Sequence, residues 1–421
     1  MVTSLALTPL HRAWRALPPT ARRAALARAS AWLAPRAAWP APTAEGGIIV
    51  GGEIGRASGL GEGARLMVAA LADLGIPAWQ IEAGLPVPGE GTVPAPHLPD
   101  MPAAAPLVLH VNAPLLPAAL LRLPRAITAG RRVIGYWAWE LPVVPHTWHH
   151  GARFVHEIWA PSRFTAAALE PLAPGRVRVV PHPVAACPPV PASLCRADFG
   201  LPEDAIVTLV SFSIASSFER KNPLGAIAAF RAAFGDRADR ILVLKLLHPS
   251  HAPADTARLH AAIGGATNIR VETRLLPQAD SHALTRSADI VLSLHRSEGF
   301  GLVPAEAMFL ARAIVATDYS GTTDFLDSTC AMPIGYTLVP ARDPRGIFQA
   351  PGAHWAEPDM AGAANALRTL AEDASLRARL GAHAARLAPE RLGTGALADA
   401  VRGLGLSGPA LCATGLCGTG P

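Results

Sequence analysis

Two glutamates, Glu298 and Glu306, stand eight positions apart in SLHRSEGFGLVPAEAM (293–308), on either side of the turn Gly299-Phe300-Gly301. The run ADIVLSL (288–294) before the turn reads as a buried strand, and LVPAEAMFLARA after it carries apolar residues at helical spacing. The pair therefore flanks a strand-to-helix crossing. The two carboxylates of a glycosidase face each other across a bond from separate elements, about 5 to 9.5 Å apart, which this spacing on one crossing does not suggest. Carboxylates also accept hydrogen bonds from vicinal hydroxyls, and amides at a helix start approach an anion closely. A second stretch, SSFERKNP (216–223), follows another strand candidate and supplies Arg220 and Lys221 to neutralise a diphosphate leaving group. One ligand with a hydroxyl-rich end, a diphosphate middle and a ribose end satisfies all three requirements, and that ligand is a nucleotide-sugar.

Lysine usage adds to this. Among the 37 basic residues only Lys221 and Lys245 are lysine. Where any positive charge suffices the chain uses arginine, so both lysines are expected where a compact ammonium serves, as at a phosphate. A further glycine-rich stretch, GGIIVGGEIGRASGLGEGAR (46–65), reads as strand, loop and helix, with the helix start at Gly59 to Gly61 able to accept an anion.

These residues need a scaffold. With 421 residues the chain is long enough for two cores. Strand candidates at 106–112, 131–140, 157–162 and 177–184 alternate with helical stretches, as in a doubly wound α/β domain. The Pro-rich segment 185–204 reads as a linker. A second series follows: strands at 205–213, 241–247, 268–273, 288–294 and 313–318, with helices at 223–234, 254–263 and 279–288. The expected organisation is a basic arm (1–45), a first Rossmann-like domain (46–184) on the acceptor side, the linker (185–204) and a second Rossmann-like donor domain (205–390). A helix returning to the first domain (391–406) and a tail (407–421) complete it. Two such domains leave a cleft, and ligands of open sheets bind at the carboxyl ends of the strands. In the first domain His110, Asn112, Trp137, Trp139 and Glu140 follow two strands and are expected to face that cleft. Aromatic rings beside a carboxylate suit sugar faces, whereas the competing reading of the tryptophans is core. Glu140 is the candidate acceptor-activating or donor-orienting group. His182 and His295 read as packing or hinge residues.

Composition narrows the remaining classes. The hydrophobic share is 50% and the charged share 16%, yet the most apolar window (105–124) holds His110, Asn112 and four prolines and fails as a spanning helix. Five irregularly spaced cysteines, without a secretory signal, favour a reducing cytoplasm. Cys412 and Cys417 have neither zinc nor redox spacing, and no metal site is expected. Residues 1–44 contain six arginines and no acid, with Leu, Trp and Ala between them. This predicts a basic amphipathic helix pair broken at Pro18-Pro19, either attached to an anionic membrane face through residues 1–40 or packed on the body. It is also the sole feature favouring a nucleic-acid binder, and no nucleic-acid partner is expected.

SSFERKNP, LVLK, SLHRSEGFGLVPAEAM and IVATDYSGTTDFL resemble the C-terminal domain of group 1 glycosyltransferases, the retaining, family 4 enzymes of GT-B fold. GLGEGAR, GYWAWELPVVP and EIWAPSRF resemble the N-terminal half of a bacterial polysaccharide-assembly branch of that group. The resemblance covers roughly 46–400. It implies that Glu298 holds the donor sugar's hydroxyls, Glu306 the ribose, and Arg220 and Lys221 the diphosphate. Amides of Gly299, Phe300, Gly301 and Leu302, together with the Gly59–Gly61 loop, would help. It further implies retention of configuration by same-face attack, no metal or other cofactor, and a GDP- or UDP-hexose donor, with mannose as the expected sugar. The acceptor would be a glycan or lipid-linked oligosaccharide of exopolysaccharide or lipopolysaccharide assembly, handled at the inner face of the cytoplasmic membrane. Three departures stand out. Ile214-Ala215 replace a basic residue common in relatives, which shifts phosphate work to Arg220 and Lys245; Ala311-Arg312-Ala313 replace Gly-Lys-Pro; Thr322 stands where Asn is frequent. A nucleotide-sugar epimerase or hydrolase of the same fold would favour carboxylates deep in the cleft over this Glu-x7-Glu edge. A non-catalytic scaffold would have no need of the two glutamates together with Arg220 and Lys221.

Overall fold

The computed structural model describes residues 19–85, 101–214, 216–348 and 350–408. Cys412, Cys417, Ala215 and the arm before residue 19 lie outside them.

Two parallel six-stranded sheets form the body. The first contains β1 (Ile48–Gly52), β2 (Ala78–Glu82), β3 (Leu107–Leu109), β4 (Val133–Tyr136), β5 (Glu157–Ala160) and β6 (Val177–Val179), in the order β2-β1-β3-β4-β5-β6. The second contains β7 (Ile206–Ser213), β8 (Arg240–Leu247), β9 (Ile269–Glu272), β10 (Ile290–Ser293), β11 (Ala313–Thr317) and β12 (Met332–Ile334), in the order β12-β11-β10-β7-β8-β9. All ladder pairs in both sheets are parallel. Strands buried on both faces need unbroken apolar runs, and alternate side chains feed opposite layers. Ile49, Leu107 and Leu109 enter one core, whereas Ile48, Val50 and Val108 enter the other. In the second sheet Leu242 and Leu244 face one layer, Ile241 and Val243 its opposite. This is the expected pair of doubly wound α/β units. The strands are shorter than 131–140 and 177–184 suggest, ending at Tyr136 and Val179.

The chain crosses between the sheets twice. The segment after β6 runs through Val184 and the Pro-rich stretch to β7. The helix Ala374–Arg391 ends in the second unit's core, and the helix Gly395–Gly403 buries Leu397, Ala398, Ala400 and Val401 against Ile48, Val50 and Met67 of the first. The two crossings touch, with Ala185 N donating to Leu392 O at 3.0 Å.

Two features fall outside the sequence reading. One is an antiparallel hairpin, β13 (Tyr336–Pro340) and β14 (His354–Pro358), whose connecting segment places Phe348 and Ala353, and whose second strand places Trp355, in the core of the first unit. The other is the backbone of Ala311, the residue standing where glycine is usual, at φ +53°. That conformation suits glycine and costs an L-residue roughly 1 kcal/mol, which is the physical reason a glycine is at home there. Part of the basic arm forms the helix Pro19–Leu33, packed on the helix Leu116–Arg122. Among the described residues no helix is long and apolar enough to cross a membrane, and Cys187, Cys195 and Cys330 are free.

Candidate active site

In the second sheet the strand order reverses between β7 and β10, and the crevice beyond their carboxyl ends is where such a sheet binds ligands. β7 leads into the short helix Phe218–Lys221, which Ser217 caps by accepting from Arg220 N. β10 leads into His295–Gly301 and the helix Leu302–Phe309. The reversal therefore sets Arg220 and Lys221 beside Glu298. Glu298 Oε2 accepts from Arg220 Nη1 at 3.0 Å and Oε1 from Lys221 Nζ at 2.5 Å. Arg220 also donates to Ser297 O and Ser216 Oγ, at 2.8 Å each. Glu140 arrives from the first unit, with Oε1 3.6 Å from Arg220 Nη2.

The electrostatics follow from this packing. Burial alone would raise the Glu298 carboxyl, but Lys221 and Arg220 outweigh it and hold the group at about 2. Burial raises Glu140 above the usual carboxylate range, and Arg220 offsets this in part while Glu298 adds to it. Lys221 is lowered, chiefly by burial. Two cations thus face one firmly ionised carboxylate and one reluctant one.

The helix Leu302–Phe309 has no side-chain cap at Gly301, whose φ is +103°. The turn before it is buried at Gly299, Phe300 and Gly301, and Leu302 is half-buried. Phe300 itself is buried against His182 and Phe325. Glu306, one turn into the helix, lies 3.9 Å from His282 Nε2. Burial tends to lower His282, but Glu306 and, more weakly, Glu62 leave it raised.

Several expected members are engaged elsewhere. Gly61 N donates to Ser58 Oγ at 3.0 Å and Glu62 N to Ser58 O at 2.8 Å, so this helix terminus satisfies its own amides. Glu62 adds a negative charge there, and Gly59 keeps only an open backbone position. The tight fit is at Gly63, where a β-carbon would land on the His182 ring. Lys245 lies on β8 and gives its ammonium to Arg274 O beside Glu272. Its pairing with β9 is a structural role in place of the diphosphate one. Trp137 and Trp139 are buried, Trp137 edge-on to Trp148 and Trp139 stacked on Phe348 with its Nε1 donating to Val143 O. They are core rather than a sugar platform. Asn112 Oδ1 accepts from Ala138 N at 2.9 Å, which shapes the loop leading to Glu140. His110 is fully buried, stacked at 4.2 Å on Tyr136, and neither ring nitrogen has a partner. His295 bridges Ser293 Oγ and Tyr319 O, and Thr322 Oγ1 lies 3.3 Å from its Nε2.

The sequence reading missed what holds the halves together. Gly299 O accepts from Ser162 Oγ at 2.6 Å and Thr165 Oγ1 at 3.3 Å, and a β-carbon there would meet Trp139 O and the Glu140 side chain, with little room for more. Phe348 lies between Trp139, at 5.3 Å, and the Arg220 guanidinium, at 5.2 Å. Asp343 supports it by accepting from Ile347 N and Phe348 N. APSRF (160–164) carried Ser162 visibly as a helix cap, but its long-range partner has no local signal. Among the described residues no group of His, Cys, Asp or Glu is arranged to hold a metal ion.

Comparison with known proteins places this geometry. Residues 216–352 match the family model described as Glycosyl transferases group 1. Two curated D-inositol 3-phosphate glycosyltransferases are each 31% identical, that of Nocardioides over 224 residues and that of Kineococcus radiotolerans over 237. The alignments cover 50% and 54% of this chain and 44% and 51% of those proteins, so the chain spans about half the length of the curated relatives it matches. Among solved structures, a glycosyltransferase from Rickettsia africae superposes with a TM-score of 0.59 at 12% identity, covering 86% of this chain and 98% of that one. The Anabaena protein HepE, in complex with UDP and glucose, does so at 0.57 and 14%, covering 86% and 100%. Residues 216–352 are thus similar to the group 1 glycosyltransferases, and the chain that carries them has the GT-B fold.

Proposed function

We propose that the protein is a retaining glycosyltransferase that moves a hexose from a nucleoside-diphosphate donor to a glycan or lipid-linked acceptor. The observation that carries this is the Glu298 carboxylate held between Arg220 and Lys221 at the strand-order reversal, beside an uncapped helix start bearing Glu306. The diphosphate would lie over Lys221, Arg220 and the amides of Gly301 and Leu302, the ribose at Glu306 and the sugar hydroxyls at Glu298. Charge stabilisation of the departing diphosphate is the main task. In same-face attack the acceptor hydroxyl forms the new bond to the anomeric carbon as the bond to phosphate oxygen breaks. The acceptor proton passes to the departing phosphate oxygen. Glu140, reaching in from the acceptor side, orients the donor or the incoming hydroxyl. No metal is required in this scheme, because two side-chain cations and a helix terminus meet the diphosphate. The UDP bound by HepE makes UDP-hexoses the first donors to test, with GDP-mannose beside them.

The test is calorimetric binding of UDP, GDP and their hexose conjugates to the full chain and to Glu306→Ala, without added metal. Saturable binding of one nucleotide, weakened by the substitution, supports the reading. No binding to a folded protein would overturn it.

A further inference from the structure

The helix Pro19–Leu33 is packed the wrong way round for a simple surface helix. It meets the body with small residues, Ser30 buried and Ala31 partly buried, with Ala34 buried just beyond its end. Its large apolar residues point outward, with Leu26 59%, Trp32 78% and Leu33 60% exposed. Leu26 and Leu33 are seven positions apart, hence on one stripe, and Trp32 flanks it. The helix Leu116–Arg122, on which it packs, adds Leu121, 44% exposed, and Leu115 precedes it, 52% exposed. Scattered single hydrophobes are normal on a surface, but three large ones on one short helix, with two more on the helix against which it packs, favour a contact face.

The charge within the segments that supply that face is of one sign. Residues 1–44 and 101–139 contain no aspartate or glutamate. Arg28, Arg36, Arg122 and Arg125 are exposed within these segments. A protein partner would need a matching acidic apolar surface, and a second copy would bring the same arginines against these. A bilayer with anionic headgroups supplies both requirements at once, since the arginines take the phosphates while tryptophan and leucine enter the interface.

We propose that the outward face of the helix Pro19–Leu33, with Leu115 and Leu121, docks on an anionic lipid bilayer. This is independent of the cleft reading. The face presents its apolar side chains ready-made, and among the described residues no helix is long and apolar enough to cross a membrane.

Co-sedimentation of the full chain with phosphatidylglycerol or phosphatidylcholine vesicles tests it. The expected result is binding to phosphatidylglycerol that falls with salt and is weak on phosphatidylcholine. Each arginine neutralised by Arg28→Gln, Arg36→Gln or Arg122→Gln should lower partition about fivefold. Leu26→Ser/Trp32→Ser/Leu33→Ser should lower it at least about tenfold with an unchanged melting temperature. Should that variant fail to fold, Trp32→Ser alone serves, because its side chain is largely exposed. Equal binding to both vesicles, or undiminished binding by the serine variants, would overturn the proposal. So would a dimer in gel filtration that the serine variants dissociate, because a second copy would then be the occupant.

Discussion

Replacing Glu298 by glutamine should weaken the fold and strengthen anion binding at the same time. The carboxyl is held at about 2 against an ordinary 4.5, which corresponds to about 3 kcal/mol of stability at neutral pH. Because the folded value is depressed, that contribution is fully present above about 4.5 and is lost as the pH falls toward 2. In Glu298→Gln the melting temperature should therefore drop at pH 7, by roughly 6–12 °C for a unit the size of the second sheet and its helices. The gap to wild type should close as the pH falls from about 4.5 toward 2. The same substitution leaves Arg220 and Lys221 without their shared counter-charge. One negative charge removed some 7 Å from a phosphate is worth about 2 kcal/mol at an effective dielectric of about 20. Inorganic pyrophosphate should then bind at least about tenfold tighter than to wild type, while sugar transfer collapses. Thermal unfolding across pH and pyrophosphate titration calorimetry read both effects. An unchanged melting temperature at pH 7, a gap that persists undiminished at pH 3, or weaker pyrophosphate binding would refute the assignment of Glu298 as the counter-ion of this pair.

Gly63→Ala places a methyl against the His182 ring and should cost about 1–3 kcal/mol in chemical denaturation, since the ring is itself packed between Tyr136 and Phe300. Ala311→Gly relieves the φ of +53° and should stabilise by up to about 1 kcal/mol, read as a higher melting temperature with nucleotide binding unchanged. Glu140 is a carboxyl raised chiefly by burial, so its ionisation opposes folding as the pH rises past the ordinary carboxylate range. Glu140→Gln should accordingly gain stability relative to wild type at pH 8 and not at pH 4, while losing transfer activity. Phe348→Ala removes the ring between Trp139 and Arg220. It should lower transfer more than it lowers nucleotide affinity, whereas Phe348→Leu, which keeps the filling without the π face, should recover stability but only part of the rate.

The two sheets were legible because parallel strands buried on both faces read as unbroken apolar runs with helices between them, and VTLVSFS and ADIVLSL are such runs. The charge cluster was legible for a related reason. Arg220, Lys221 and Glu298 each follow a strand's carboxyl end by at most eight residues, and the strand order of a doubly wound sheet brings them together, whereas the pairing of Glu298 with the two cations was not read. What failed depends on distant partners. Trp139 beside Glu140 looks like a sugar platform until Phe348, some two hundred residues away, is found stacked on it. Lys245 looks like a phosphate ligand by its rarity, and only the register Lys245 to Glu272 between β8 and β9 shows where its charge goes. Gly61 looks like an anion loop, but Ser58 three residues earlier takes its amide. That competitor was visible in the sequence as a cap followed by Glu62. The hairpin carrying Phe348 had no such signal, because its strands are short, the first is largely exposed, and a segment with two prolines separates them.

The site's charge is set jointly by both halves of the molecule. Within the second unit alone, Arg220 and Lys221 exceed Glu298 by one positive charge. Glu140, delivered by the loop after β4 and fixed through the Gly299 contacts with Ser162 and Thr165, offsets that excess when ionised. The reluctant carboxylate is the one from the first unit. An arriving diphosphate displaces the balance further toward negative charge and makes Glu140 still harder to ionise. The group best placed to exchange a proton near the acceptor thus depends on both the donor's arrival and the closeness of the two units. Loosening the Gly299 contact by Ser162→Ala should shift the acid limb of the transfer rate toward lower pH, because a less buried Glu140 ionises more readily.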